Sequence, residues 1–326
     1  MKKLFALLLT IVLVLSLAAC GEDKPKKAEA EAPGSETAQT AEAGTTQTAE
    51  AESWPEAAED VKYRVGDALQ THGLKIVYTG SGEHLSDNQF IQPDEGNKFI
   101  FISLYFENSF DSDKSVTAFD FHCYADGYDV EQHYAGDDQL SATLSPGRKT
   151  MGNLYFEVPA EAKEIEIEYE PGLFSNERIT FLYEGEQSAD FVPETEASAT
   201  ADALTVGADV ETNGLRLTYL SCGPYVSDNQ FIQPDEGKEY VFIELEAENI
   251  SDSDKSISSL SFRAYADGMS CDSKFLGEET LSASLSPGRK SKGSLVFEVP
   301  KDAQIIEIEY EGGLFSSDRT VFAYQK

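Results

Sequence analysis

Residues 86–108 read SDNQFIQPDEGNKFIFISLYFEN, and residues 227–249 read SDNQFIQPDEGKEYVFIELEAEN. The first eleven residues are identical in the two stretches, and an apolar run follows each of them. Outward from this pair the halves align without a gap, residues 65–183 against residues 206–324, at a constant offset of 141. Roughly half of the paired positions are identical, which indicates an internal repeat. The sequence therefore predicts two copies of one module, and each residue can be compared with its twin.

Apolar side chains recur at every second residue within each repeat. Leu154, Phe156 and Val158 alternate with a second set of residues, and turn dipeptides such as Asp126-Gly127 and Pro146-Gly147 separate the runs. No stretch shows the 3.6-residue period of a long helix. About seven or eight strands in about 120 residues are typical of an antiparallel sandwich. A small closed barrel is the alternative.

Four short motifs recur in the same order in both repeats. They are Glu107-Asn108, Ala125-Asp126-Gly127, Leu144-Ser145-Pro146-Gly147 and Phe156-Glu157-Val158-Pro159, with the twins Glu248-Asn249, Ala266-Asp267-Gly268, Leu285-Ser286-Pro287-Gly288 and Phe297-Glu298-Val299-Pro300. This order resembles the DUF4352-type domains of bacterial surface lipoproteins. The resemblance implies an all-β protein with two tandem immunoglobulin-like antiparallel β-sandwich domains, similar in fold to a secreted mycobacterial antigen. The motifs form turns and end strands, so they imply a fold rather than an activity.

The N-terminus reads as an export signal. Lys2 and Lys3 precede an apolar run, Leu4 to Leu17, that is too short for a stable membrane span. The run ends in Leu-Ala-Ala-Cys, which resembles the bacterial lipobox and implies a diacylglycerol anchor on Cys20. An ordinary signal peptide with a chance cysteine is the alternative. We expect a signal peptide over residues 1–19 and a protein on the outer side of the cell membrane, held there by the lipid.

Composition divides the rest of the chain. Residues 20–60 are rich in Ala, Glu, Thr and Gln, a composition that cannot bury enough apolar surface to fold, and they are predicted to form a disordered acidic tether. The two domains are predicted at residues 61–185 and 202–326. Residues 186–201, with Pro among Glu, Ser, Ala and Thr, are predicted to be the linker between them.

The net charge limits the possible partners, and the cysteine content limits the possible disulfides. The formal net charge of −34 repels phosphate backbones, so no nucleic-acid partner is expected. Beyond Cys20 the chain has Cys123, Cys222 and Cys271, an odd number that the repeats do not share. Cys123 lies in an alternating stretch and is expected in the core. Whether Cys222 and Cys271 form a disulfide stays open.

The sequence offers little for catalysis. The four histidines, His72, His84, His122 and His133, all lie in repeat 1, and none of their twins is a histidine. No paired-ligand spacing, nucleophile motif or phosphate-binding glycine loop surrounds them. We therefore expect a protein that is not an enzyme and has no cofactor apart from the lipid.

Two acidic patterns are candidate cation sites. Glu166, Glu168 and Glu170 share one strand face, which solvent alone can support. The turn residues Asp111 and Asp113, with the twins Asp252 and Asp254, place oxygens at alternate positions and are a calcium hypothesis, although calcium prefers six to eight oxygens.

The repeated loop is the candidate contact surface. It combines amides with an aromatic ring, a set suited to sugars or peptides. The candidate contact residues are Asn88, Gln89, Phe90, Gln92, Asn229, Gln230, Phe231 and Gln233. In the competing interpretation Phe90 and Ile91 tuck into the sandwich edge, and the identity records a recent duplication. Replacing the two phenylalanines separates these interpretations.

These patterns together predict a lipid-anchored protein that binds rather than catalyses, through partners such as cell-wall glycan or a surface or secreted protein. The alternatives are a structural spacer in the envelope, or a calcium-binding or accessory factor to a surface enzyme or transporter.

Overall fold

Strands make up most of the described chain, because apolar residues at every second position give each strand one face to bury. The computed structural model describes residues 54–58, 61–86, 88–134, 136, 138–172, 177–195, 199–276, 279–312 and 319–326. The predicted signal peptide and Cys20 lie outside the described residues. No α-helix occurs in the described part, where short 3-10 turns at Ala118–Asp120 and Ser259–Ser261 are the helical elements.

Repeat 1 contains strands β1 to β13. They are β1 (Lys62–Tyr63), β2 (Ala68–Thr71), β3 (Leu74–His84), β4 (Asn97–Asn108), β5 (Lys114–Thr117), β6 (Phe121–Ala125), β7 (Tyr128–Val130), β8 (Gln132–His133), β9 (Ser141–Leu144), β10 (Lys149–Pro159), β11 (Ile165–Tyr169), β12 (Ile179–Tyr183) and β13 (Gln187–Ser188). One sheet has the order β13-β3-β4-β10, and the facing sheet has the order β1-β12-β11-β6-β7. One core fills the space between them, with Ile102, Phe156 and Phe181 fully buried.

Repeat 2 contains strands β14 to β23. They are β14 (Asp209–Thr212), β15 (Leu215–Tyr225), β16 (Lys238–Asn249), β17 (Lys255–Ile257), β18 (Phe262–Ala266), β19 (Met269–Lys274), β20 (Ala283–Leu285), β21 (Lys290–Pro300), β22 (Ile305–Glu311) and β23 (Arg319–Gln325). Strands β15, β16 and β21 form the first sheet, and β18, β22 and β23 form the second. A separate core lies between them. The predicted all-β class with two tandem β-sandwiches is confirmed, and the barrel alternative is not.

The duplication extends to irregular features. Strand β3 changes register against β4 between Tyr78 and Gly80, and β15 changes register against β16 between Tyr219 and Ser221. The residues at these paired irregularities lie 141 positions apart, so the same bulge recurs at the same place in each repeat.

The predicted tether and the predicted linker were expected to lie free of the sandwiches. Parts of both contact repeat 1. In the predicted tether, the Ala57 N–H donates to the Gln70 carbonyl, so residues 54–58 lie along β2. In the predicted linker 186–201, β13 pairs with β3, and the ring of Phe191 packs on Tyr105. Backbone hydrogen bonds along a sheet edge need no apolar sequence, which explains why composition alone did not predict this order.

Candidate functional site

The repeated loop is held together by its own amide side chains. We call residues 86–96 tip loop 1 and residues 227–237 tip loop 2. In tip loop 1 the Phe90 N–H donates to Asn88 Oδ1 at 2.9 Å, which closes a short turn. Gln92 Nε2 donates to the carbonyls of Ser86 and Asn88 at 3.0 and 2.9 Å. The Asn88 and Gln92 side chains are therefore engaged inside the loop.

Tip loop 2 makes the same bonds. The Phe231 N–H donates to Asn229 Oδ1 at 3.0 Å, and Gln233 Nε2 donates to the Asn229 carbonyl at 2.8 Å. Identical sequence thus gives identical geometry in two different surroundings, as expected when a loop is stabilised from within.

Both phenylalanine rings point into solvent. Phe90 and Phe231 are each 86% exposed, and Leu85 and Val226, which precede the loops, are also exposed. The interpretation that Phe90 tucks into the sandwich edge is wrong, because its ring lies almost fully in solvent. The structure brings the predicted contact residues of each loop together, with Gln89 and Gln230 exposed beside the rings.

Near its C-terminal end, each loop is hydrogen-bonded to a glutamate of the sandwich. The Asp94 N–H donates to Glu157 Oε1 at 2.7 Å, and the Asp235 N–H donates to Glu298 Oε1 at 3.0 Å. In repeat 2 the hydrogen bond from Lys238 is the main cause that lowers the pKa of Asp235. The loops are thus fixed at their base as well as at their tip.

The calcium hypothesis does not fit Asp113. Its carboxylate pairs with Arg263, at 2.7 Å, and with Arg319, so two guanidiniums already surround it. Asp111, Asp252 and Asp254 are exposed. Within the described residues no group of three or more His, Cys, Asp and Glu side chains could hold a metal ion.

The other titratable candidates are the cysteines and the histidines. Cys123 is buried in the core of repeat 1, as predicted. Cys222 and Cys271 are free thiols, and burial raises the pKa of Cys271 to about 12, which disfavours a reactive thiolate. His84 and His133 are half-buried and pack against the rings of Tyr155 and Phe99.

The most heavily charged buried site lies between the repeats. Arg148 follows the Ser-Pro-Gly turn of repeat 1, and its guanidinium pairs with Glu307 at 2.6 Å and Glu309 at 2.8 Å in β22. Its guanidinium also lies 4.6 Å from the centre of the Tyr265 ring. Ser145 of the same turn donates to Glu309. All five side chains are buried.

The contact has two different sides, which we call turn surface 1 and sheet surface 2. Turn surface 1 comprises Asp113 and residues 145–149 of repeat 1. Sheet surface 2 comprises five residues of repeat 2, namely Arg263, Tyr265, Glu307, Glu309 and Arg319. The strands β10 and β19 also meet here as parallel neighbours, Lys149 beside Met269. This contact could not be predicted from the sequence, because the residues that form it are largely the same in both repeats.

An open apolar cleft lies where the predicted tether and linker cross repeat 1. It has a volume of about 460 Å³, and its lining includes Trp54, Val77 and Phe191. Repeat 2 has no residue like Trp54, since this is the single tryptophan of the chain. The cleft is therefore not a duplicated feature.

Comparisons with known proteins agree with this architecture. The family model described as "Domain of unknown function (DUF4352)" matches residues 63–179 and 204–321. No curated protein matches the chain. In the described residues no helix has the length and apolar character needed to cross a membrane.

Several solved bacterial structures align with part of the chain. A candidate lipoprotein, ycdA of Bacillus subtilis, is 10% identical over 36% of this chain and 38% of its own, with a TM-score of 0.33. The Bacillus subtilis protein yjhA is 14% identical over 37% of this chain and 99% of its own, with a TM-score of 0.30. The secreted protein MPT63 of Mycobacterium tuberculosis is 12% identical over 39% of this chain and 100% of its own, with a TM-score of 0.28.

Proposed function

This chain belongs to the DUF4352 family through both of its repeats, and from that premise we propose that it is a non-catalytic binding protein outside the cytoplasm that contacts a partner protein through tip loops 1 and 2. The proposal includes the lipid anchor on Cys20, which rests on the lipobox-like residues before it.

The exposure of Phe90 and Phe231 on internally bonded loops carries the proposal. Burying about 150 Å² of one such ring on a partner gives roughly 4 kcal/mol before the costs of association. A loop that is already ordered loses little conformational entropy on binding. Two such loops in one chain allow a partner with two sites, or two partners, to be held more firmly than one loop allows.

A protein partner fits these loops better than a glycan. Sugar recognition needs several polar groups arranged around the aromatic ring. Here Asn88 and Gln92 bond within tip loop 1, and Asn229 and Gln233 do so in tip loop 2. Each loop therefore offers an apolar ring with one exposed amide beside it, Gln89 or Gln230, which suits an apolar patch on a protein.

Substitution of the two rings tests this proposal. We expect Phe90→Ser together with Phe231→Ser to abolish binding of the non-lipidated chain to intact cells that lack their own copy, because the contact surface is lost. The melting temperature should stay nearly unchanged, since exposed positions contribute within about 0.5 kcal/mol. Phe119→Ser is the matched control, because Phe119 is 77% exposed elsewhere in repeat 1.

Enzymatic treatment of the cells identifies the class of partner. Protease treatment should remove the binding sites, whereas muramidase treatment should leave them. Loss of binding after muramidase alone would favour a glycan. A double phenylalanine variant that binds as well as the control would contradict the role of the tip loops.

A structural spacer is the second candidate, and the contact between the repeats favours it. Arg148, Glu307 and Glu309 join the two sandwiches through buried charges, which holds them as one unit. A spacer would bind no cell-surface protein, so the same cell-binding measurement separates the two functions.

A further inference from the structure

The two sides of the inter-repeat contact are different surfaces. Turn surface 1 belongs to repeat 1 and sheet surface 2 belongs to repeat 2, so the contact is head-to-tail rather than symmetric. Because the chain is a duplication, each surface exists twice. One copy of each stays outside the contact.

The unused copies keep nearly every residue of the contact. We call Asp254 with residues 286–290 turn surface 2; its sequence Ser-Pro-Gly-Arg-Lys is identical to residues 145–149. Sheet surface 1 comprises His122, Tyr124, Glu166, Glu168 and Arg178 of repeat 1. Each of these matches sheet surface 2 at the offset of 141, and only His122 differs in type, standing where sheet surface 2 has Arg263.

Residues buried in the contact are accessible at the unused twins. Arg148 is 5% exposed, whereas Arg289 is an exposed residue that forms no ion pair with any described residue. Ser145 is fully buried and Ser286 is exposed. Tyr124 is likewise partly exposed where Tyr265 is buried. Turn surface 2, which is basic at Arg289, and sheet surface 1, which carries Glu166 and Glu168, thus both lie outside the inter-repeat contact.

We propose that turn surface 2 of one chain docks on sheet surface 1 of a second copy, repeating the contact that joins the two repeats within the chain. In this arrangement Arg289 of one copy lies between Glu166 and Glu168 of the next. Asp254 then faces Arg178. Since the two surfaces differ, every added copy presents a new turn surface 2, and the copies form a row rather than a closed pair.

Other charged side chains lie beside the docking position and affect how strongly the two copies bind. Lys62 of β1 pairs with Glu166 and, at 2.7 Å, with Glu164. Its counterpart in repeat 2 is Ala203, so sheet surface 2 has no such lysine. Docking of Arg289 requires Lys62 to move from Glu166. Arg178 pairs with Glu168 at 3.1 Å, as Arg319 pairs with Glu309 in the inter-repeat contact, and it can stay in place.

Cysteine crosslinking of the full chain tests the row. Within the chain, Lys149 and Met269 are paired neighbours of two parallel strands, close enough for a disulfide when both become cysteine. Their twins, Lys290 and Tyr128, lie on the two open sides. We expect the variant Tyr128→Cys with Lys290→Cys to form a ladder of covalent dimers, trimers and higher species under mild oxidation.

Four controls define the outcome. An equal mixture of the two singly substituted variants, Tyr128→Cys and Lys290→Cys, should stop at the dimer, because each copy then carries only one of the two introduced cysteines. Adding Arg289→Glu to the double variant should reduce the ladder to the level of the unsubstituted chain, and adding Lys62→Ala should strengthen it. The variant Lys149→Cys with Met269→Cys should crosslink within one chain and so verify the geometry.

The proposal is overturned if that intrachain crosslink forms while the Tyr128 and Lys290 variant stays monomeric. It is also overturned if the ladder is unaffected by Arg289→Glu.

Discussion

Arg148 and Arg289 occupy the same turn position in the two repeats, yet they lie in opposite surroundings. Burial alone would lower the pKa of Arg148, but Glu309 and Glu307 outweigh that effect and hold its pKa above the ordinary value. The exposed Arg289 has no such pair among the described residues. Identical residues therefore act differently because only one of the two turns meets a neighbouring sheet.

Replacing these twins gives a matched comparison. Arg148→Met should lower the free energy of unfolding by about 3–5 kcal/mol, because Glu307 and Glu309 would remain buried without their cation. Arg289→Met should change it by less than about 0.5 kcal/mol. Urea unfolding measures both. Similar losses for the two variants would mean that Arg148 does not join the repeats.

A buried asparagine explains the Glu-Asn motif. Asn108 Nδ2 donates to the carbonyls of Ser112 and Leu144, both at 2.8 Å, and its Oδ1 accepts the Phe110 N–H at 2.9 Å. Asn108→Ala removes all three bonds, of which the one to the Leu144 carbonyl is buried, and should cost about 1–3 kcal/mol of unfolding free energy. Asn249→Ala should cost a similar amount, since Asn249 makes the equivalent bonds in repeat 2. Thermal melting that is unchanged by either substitution would contradict this role.

The residue predictions identified core positions and left two interpretations open at the loop tip. The period-two pattern placed Cys123 and Leu154 correctly in the core, because strand geometry fixes which side chains point inward. It could not place Phe90, whose direction depends on the hydrogen bond to Asn88 rather than on any period. Hydrophobicity alone favoured a buried ring.

At the scale of elements, the Asp-Gly turns were predictable and their side-chain role was not. Asp126 and Gly127 have φ values of 49° and 81°, the left-handed pair of a tight hairpin turn. The Asp126 carboxylate also accepts the N–H groups of Lys163 and Glu164, each at 3.0 Å, and so fixes the entry to β11. That second role needs a partner distant in sequence, which no local pattern reveals.

The contact of β22 with turn surface 1 should contribute less stability as the pH falls. Burial would raise the pKa of Glu307, but the Thr200 N–H and Arg148 outweigh it and hold the pKa below the ordinary value of 4.5. Such a group stabilises the fold above pH 4.5, and that stability is lost as pH falls through the lower folded-state pKa.

Glutamine substitutions check this pH dependence. The stability difference between the native chain and Glu307→Gln, measured by urea unfolding, should be constant above pH 4.5 and shrink below it. Glu166→Gln in sheet surface 1 is the matched control. It should show a smaller difference, since Glu166 is partly exposed. A difference for Glu307→Gln that grows as pH falls would contradict the assignment.

At the scale of the whole molecule, the sequence predicts the number of sandwiches but not the contact between them. The constant offset of 141 predicts two equivalent modules, and each has its own core. Their contact depends on residues such as Arg148 and Glu309, which have identical twins in Arg289 and Glu168. A comparison of twins cannot tell which copy is engaged.

Anchoring is a separate prediction for the whole chain. Cys20→Ser should release the protein from the membrane fraction into the medium and should abolish incorporation of labelled fatty acid, because the acylated thiol is lost. Cys222→Ser is the control and should leave both unchanged. Retention of Cys20→Ser in the membrane fraction would refute lipid anchoring at this residue.

The role of the tip loops is tested most directly by photo-crosslinking on living cells. A photoreactive amino acid is placed in the full chain at position 90, at position 231 or, as control, at position 119. We predict that positions 90 and 231 each capture a protein other than the chain itself and that position 119 captures none. Equal capture at all three positions, or no capture at positions 90 and 231, would contradict a binding role for the loops.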